Sequence, residues 1–188
     1  MTDEKWQPDG LDMIVAANQP FFAPYPGFFE KCRHADVLVL LDSVQFPRGT
    51  TWMSRNRFKN DQGTLWLSVP VWRKGLGLQS ITEVRICWEG NWKYKHLQSL
   101  TAAYQKAPFF VDHFPCLESV YISEPERLLD LNRFILGYLL KQLGLSTRIV
   151  FLSELEIETR GPDLPPAICR RLGSKTFLAQ SSAAKHLD

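Results

Sequence analysis

Apolar positions come in short continuous runs at the start of the chain and at helical spacing further on. Met13–Ala17 is one such run, closed by Asn18-Gln19-Pro20. Val37–Leu41 is another, built from valine and leucine. Unbroken runs of this kind are expected of interior strands in a parallel sheet, where both faces are covered. Between them, a segment from Pro26 to His34 carries Phe28, Phe29 and Cys32 and opens on a proline, which a first helical turn tolerates. Strand, short helix, strand is the opening of an α/β fold.

The pattern then changes. Thr50–Phe58 and Thr64–Val71 bracket Lys59-Asn60-Asp61-Gln62-Gly63, which is hairpin chemistry, and Ser80–Cys87 is expected as a third strand beside them. Asn91 is placed to cap a helix running to about Lys106, with Leu97, Leu100 and Tyr104 on its core stripe and Pro108 as its stop. Ser123-Glu124-Pro125-Glu126 has capping-box form ahead of a helix carrying Leu128, Leu131, Phe134, Ile135, Tyr138 and Leu139. Arg148–Leu152 is expected as a strand, Pro162–Leu172 as a helix closed by Gly173, and Lys175–Ala179 as a last strand before a helix opening at Ser182. The reading is a polar leader over 1–12 and one α/β domain over 13–188. It is three-layered and mainly parallel, Rossmann-like by analogy with nucleotide-binding folds, and carries a β-rich insert at about 48–87.

Composition narrows the class. A hydrophobic fraction of 45% with 22% charged residues excludes disorder, and a net charge of +2 argues against a DNA-coating role. Cys32, Cys87, Cys116 and Cys169 are irregularly spaced with no CxxC, which speaks against a zinc site or a disulfide scaffold. The leader lacks an apolar stretch, and no apolar run approaches the roughly 20 residues of a bilayer span, so a cytoplasmic protein without membrane insertion is expected. Aromatic residues are abundant at 12%; a Phe-rich core absorbs most of them and leaves some for the walls of a pocket.

Four places can carry chemistry. Asn18, Gln19 and Tyr25 lie in the proline-stiffened loop after the first strand, where open α/β sheets bind ligands. Asp42 and Gln45 follow the second strand. A carboxylate there can bind a sugar hydroxyl, hold Mg²⁺ or act as a base. If the two strands are neighbours, Gln19 and Asp42 are expected to open into one pocket. The third place lies between Arg48 and Lys74, where six basic residues stand against a single acid, Asp61. On a strand Arg55 and Arg57 share a face, able to grip a phosphate or carboxylate with two guanidinium forks, with Asn56 on the other face. Trp52, Trp66 and Trp72 are interleaved with that charge, which is also the look of a single-strand nucleic-acid platform. Finally, Trp92 and His96 stand one turn apart, with His96 expected at the boundary of core and solvent, where it could titrate near neutral pH. Walker, GxSxG, HExxH and GxGxxG motifs are all missing.

The run Asn18-Gln19-Pro20 … Pro24-Tyr25-Pro26-Gly27-Phe28-Phe29, with Ala35-Asp36-Val37, Leu41-Asp42-Ser43-Val44-Gln45-Phe46, Arg55-Asn56-Arg57 and Leu67-Ser68-Val69-Pro70-Val71, resembles the WbqC-like protein family. The resemblance extends through Trp92 and His96 to Lys175–Leu187. It implies a bacterial protein of surface-polysaccharide (O-antigen) or modified-sugar biosynthesis that transfers a small group onto an amino sugar. Members usually carry His or Ser where this chain has Asn18, and a glycine-rich stretch where it has Ala179–Ala183. They also tend to continue beyond this chain's end, which implies a C-terminal piece of the site outside it.

The expectation is a transferase acting on a phosphorylated or nucleotide-linked small molecule, with no cofactor or metal assigned. Asn18, Gln19, Tyr25, Gln45, Asn56 and Trp92 contact the substrate, Arg55 and Arg57 hold its anion, and Asp42 or His96 moves the proton. A non-catalytic binding module and single-stranded nucleic-acid binding are the alternatives.

Overall fold

A computed structural model describes residues 13–179. The leader 1–12, and the expected last helix with Ser181, Ser182 and His186, lie outside the described residues. The chain divides into two compact units: one holds residues 13–19, 25–41 and 144–179, the other residues 20–24 and 42–143.

The first unit is a four-stranded parallel sheet. β1 (Ile14–Asn18) pairs with β2 (Val37–Leu40) on one side and β6 (Thr176–Leu178) on the other, and β5 (Arg148–Phe151) adds beyond β2. The register sets Asn18 opposite Leu40 and Val37 opposite Arg148. All four residues of β2 are buried, as its unbroken apolar run requires. Asp36 ties the strand entrances together: its carboxylate accepts the Ile14 N–H at 2.7 Å and its carbonyl the Arg148 N–H at 2.9 Å. α1 (Pro26–Arg33) buries Phe28 and Cys32, and Thr147 donates its hydroxyl to the Cys32 carbonyl at 2.6 Å. Helix α5 (Leu164–Leu172) buries Leu164 and Ile168 and ends at Gly173. There φ is +73°, a left-handed turn that glycine adopts without Cβ strain. Counted along the chain, the strands lie in the order third, second, first, fourth, so the order reverses between β1 and β6.

The second unit joins an antiparallel hairpin, β3 (Arg55–Asn60) and β4 (Gly63–Ser68), to three helices, α2 (Trp92–Tyr104), α3 (Phe110–Ser123) and α4 (Leu128–Gln142). Met53, Leu67, Ile81, Val84, Leu100, Leu128 and Leu131 are among its buried core residues. Two expectations are corrected here. Ser80–Cys87 is no strand: Glu83 accepts the Ser80 N–H at 2.8 Å and its hydroxyl at 2.9 Å, and this local box winds Ile81–Glu83 into a 3-10 turn. Among the described residues it keeps single bridges, Gln45 with Ser80, Val71 with Ile86 and Arg85 with Arg127. The box expected at Ser123–Glu126 does not form. Ser123 donates back to the Val120 carbonyl, Glu124 turns left-handed and pairs with Lys93, and α4 starts without a side-chain cap. Helix α3 falls in a stretch to which no element is assigned from sequence, and it holds Pro115 in its interior. Among the described residues no helix is long and apolar enough to cross a membrane.

Candidate functional site

The hairpin of the second unit concentrates the charge. Arg55 and Arg57 lie two apart on β3 and share one face, as strand geometry dictates. Both lean on tryptophan. The Arg55 guanidinium carbon stands 3.9 Å from the Trp66 ring centroid, and Arg57 stands 5.8 and 5.7 Å from Trp52 and Trp66. The two indoles stack on each other with centroids 5.7 Å apart. Neither arginine forms a salt bridge or side-chain hydrogen bond with a described residue. Arg55 Nε is buried with no partner. A buried charged donor left unpaired costs upward of about 1–3 kcal/mol, more than a partly exposed cation–π contact of about 0.5–1 kcal/mol returns. The cluster is therefore short of an acceptor, and an anionic oxygen is the group that would supply it.

Asn56, on the opposite face of β3, is buried and its amide is occupied. Nδ2 donates to the Phe22 and Ala23 carbonyls at 2.9 and 2.8 Å, and Oδ1 accepts the Arg57 N–H at 2.8 Å. Both its N–H donors are spent on holding the segment 20–24, including Ala23 at a φ of +43°. That leaves Asn56 no amide proton for a substrate.

His96 lies on the buried stripe of α2 with Leu100, at 6% exposure, and not at the solvent boundary. Its Nε2 accepts the Ser68 N–H at 3.2 Å, so the neutral ring carries its proton on Nδ1, 3.0 Å from the Tyr121 hydroxyl. Burial pushes the imidazole down to about 4 and the Tyr121 phenol up. Trp92 meets His96 edge-on at 5.0 Å, stacks on Trp88 at 4.9 Å, and donates its indole N–H to the Cys87 carbonyl at 2.9 Å. With both ring nitrogens bonded and the ring neutral, His96 has the connections of a core pillar joining β4, α2 and α3.

The remaining candidates divide between the units. In the first, Asn18 is buried and donates to the Gln19 carbonyl at 2.9 Å. Gln19 is half-buried just past the end of β1, and Tyr25 is exposed at the entry to α1, its ring lying over Gly27. Lys31, overlooked in the sequence because it reads as a surface residue of a short helix, donates Nζ to the Ala17 carbonyl at 2.7 Å. Burial holds its amine below the usual lysine range. In the second unit Asp42 is buried and accepts the Thr82 N–H on its main-chain carbonyl at 3.1 Å, while Gln45 is exposed. Among the described residues no three His, Cys, Asp or Glu gather as a metal site.

Residues 19–188 match the WbqC-like protein family. The chain is also 29% identical over 176 residues to a Mycobacterium tuberculosis protein, "Uncharacterized protein Rv1507c", an alignment covering 93% of this chain and 75% of that protein. No solved structure matches it. The motifs quoted from Gln19 onward fall within the matched region, and the match begins just past β1 and takes in the whole of the basic hairpin and both catalytic candidates: the chain belongs to the WbqC-like protein family.

Proposed function

We propose that the protein is a cytoplasmic transferase of surface-polysaccharide or modified-sugar biosynthesis. It moves a small acyl or aminoacyl-type group to or from a phosphorylated or nucleotide-linked sugar. The observation that carries the reading is the pair Arg55 and Arg57, side by side, unpaired, with a buried Nε–H that lacks an acceptor. Two planar forks on one strand face match a phosphate or diphosphate better than a single charge would. The reversal of strand order between β1 and β6 supports a Rossmann-like, three-layer assignment for the first unit, since that order recurs in nucleotide-binding sheets. Crossovers running in opposite senses from such a reversal put their helices on opposite faces.

In this reading Arg55 and Arg57 hold the anion and the Trp52–Trp66 pair braces them. Asp42 is the proton-moving group, since His96 is held neutral and fully bonded. The nucleic-acid alternative is less favoured, because each indole of the pair already spends one face on the other. Calorimetry with uridine-diphosphate amino sugars, sugar phosphates and inorganic phosphate tests the proposal. The expected result is binding of a phosphorylated sugar that weakens about tenfold or more in Arg55→Ala and Arg57→Ala, each worth a charged hydrogen bond of about 1.5–3 kcal/mol. Unaltered affinity in both variants would assign the pair to a solvated face. Transfer from an acyl donor, abolished by Asp42→Asn, tests the chemistry.

A further inference from the structure

A second basic cluster lies elsewhere in the second unit and shares no residue with the Arg55–Arg57 pair. Phe46, Pro47, Arg48, Arg73, Leu78 and Gln79 line a cleft of about 310 Å³, at the lower end of the size range of small-molecule sites. Arg73 is fixed in it. Its Nη1 donates to the Pro47 and Arg48 carbonyls at 2.9 and 2.6 Å, and the guanidinium carbon stands 4.6 Å from the Phe46 ring centroid. Those bonds occupy one nitrogen, and Nε and Nη2 make no bond with a described residue. Arg48 stands exposed at the same cleft, its side chain likewise without a hydrogen bond or ion pair. No carboxylate lines the cleft. The buried Phe46 ring lies against the Arg73 charge, and Leu78, a leucine left 57% exposed, is the open apolar side chain of the lining. The walls are stiff. Phe46 N–H donates to the Gln79 carbonyl at 2.9 Å, and Gly75 and Gly77 take φ of +80° and +64° to turn the chain between Arg73 and Leu78.

We propose that this cleft binds a small amphiphilic anion, a carboxylate or phosphate joined to an apolar body. A preset guanidinium braced on the Phe46 ring, with an open edge, recognises the planar or tetrahedral oxygens, a second arginine at the same cleft adds charge, and the exposed Leu78 takes up the apolar part. The rigid placement of Arg73 lowers the ordering cost of binding, because its torsions are already fixed by the two carbonyls.

Nitrogen-15 NMR titration of the whole chain with phenyl phosphate, benzoate, inorganic phosphate and benzyl alcohol tests the site. Saturable shifts are expected at the Gly77 and Gln79 amides with phenyl phosphate, benzoate or both, and whichever binds identifies the anion. Arg48→Glu, at an exposed position with no side-chain bond to lose, should weaken that binding at least about tenfold, whereas Arg55→Ala/Arg57→Ala should leave it unchanged. Arg48→Gln provides a second variant should the charge reversal perturb folding, with a smaller loss of the same sign. Equal binding of benzyl alcohol would overturn the anion role, and equal binding of inorganic phosphate the apolar one. Absence of saturable shifts with either amphiphilic anion, or full affinity in both Arg48 variants, would overturn the site.

Discussion

Asn56 and Asn132 share the carbonyls of one short segment. Asn132 Nδ2 donates to Pro20 at 2.8 Å, and Asn56 Nδ2 donates to Phe22 and Ala23 at 2.9 and 2.8 Å. Asn132 also donates to the Met53 carbonyl at 2.9 Å, and the Phe22 N–H closes onto the Trp52 carbonyl at 2.9 Å. Two buried amides thus tie residues 20–24 to the approach to β3, 30 residues later in the chain. The loop that reads in the sequence as a ligand-binding turn is, over these residues, bolted into the core of the second unit.

Removing either amide strands buried carbonyls. Asn132→Leu is expected to destabilise the protein by about 2 kcal/mol, the lower part of what two orphaned acceptors cost, since Asn132 Oδ1 is itself unpartnered and its loss is a relief. Asn56→Ala should cost a similar amount. Urea denaturation of both singles and the double would show a double-mutant loss smaller than the sum, because either change alone releases the segment. Strict additivity would mean that the two amides act on separate structures.

His96 makes stability depend on pH. Its pKa lies at about 4 when folded, below the ordinary value near 6.5, so the unfolded chain takes up the proton first as pH falls. Its contribution is fully present above about pH 6.5, is lost progressively down to about pH 4, and is on the order of 3 kcal/mol. His96→Gln should be less stable at pH 7 but should lose less on going to pH 4.5. A variant with the same acid-side slope as the parent would place the titration on another group.

Trp66 supports Arg55 at 3.9 Å, so Trp66→Ala should act on binding more than on folding. Trp66 is 43% exposed, and its loss is expected to lower stability by about 1 kcal/mol while weakening phosphorylated-sugar binding about three- to tenfold. Trp72 is equally exposed but has no ring partner among the described residues, and Trp72→Ala is the matched control. Equal effects of the two changes in calorimetry would remove the bracing role.

Pro115 has no N–H to give the Val111 carbonyl within α3. A proline in a helix interior costs about 3 kcal/mol against alanine, partly offset by the unfolded-state freedom that alanine restores. Pro115→Ala is therefore expected to stabilise the protein by about 1–2 kcal/mol, read as a rise in thermal midpoint. A lower midpoint would show that the helix needs the bend that proline imposes.

Periodicity alone carried the parallel strands. Val37–Leu40 is apolar at every position because both its faces are covered, and its shortness and valine content mark it as strand where a buried helix would run longer. The same holds for the glycine stop at Gly173 and for the shared face of Arg55 and Arg57, which are local consequences of backbone geometry. What the order along the chain could not specify was partnership. Ser80-Ile81-Thr82-Glu83 and Ser123-Glu124-Pro125-Glu126 have the same capping-box spacing, yet of the two only the first closes, because Glu126 pairs with Arg85, far away in sequence, and Ser123 bonds back to Val120. Asn56 and His96 look like site residues for their chemistry. Tertiary packing spends their hydrogen bonds on Phe22, Ala23, Ser68 and Tyr121, because buried polar atoms are satisfied by whatever the fold brings within reach. Arg55 and Arg57 keep their charge uncommitted for the converse reason: packing brings them indole rings and no carboxylate.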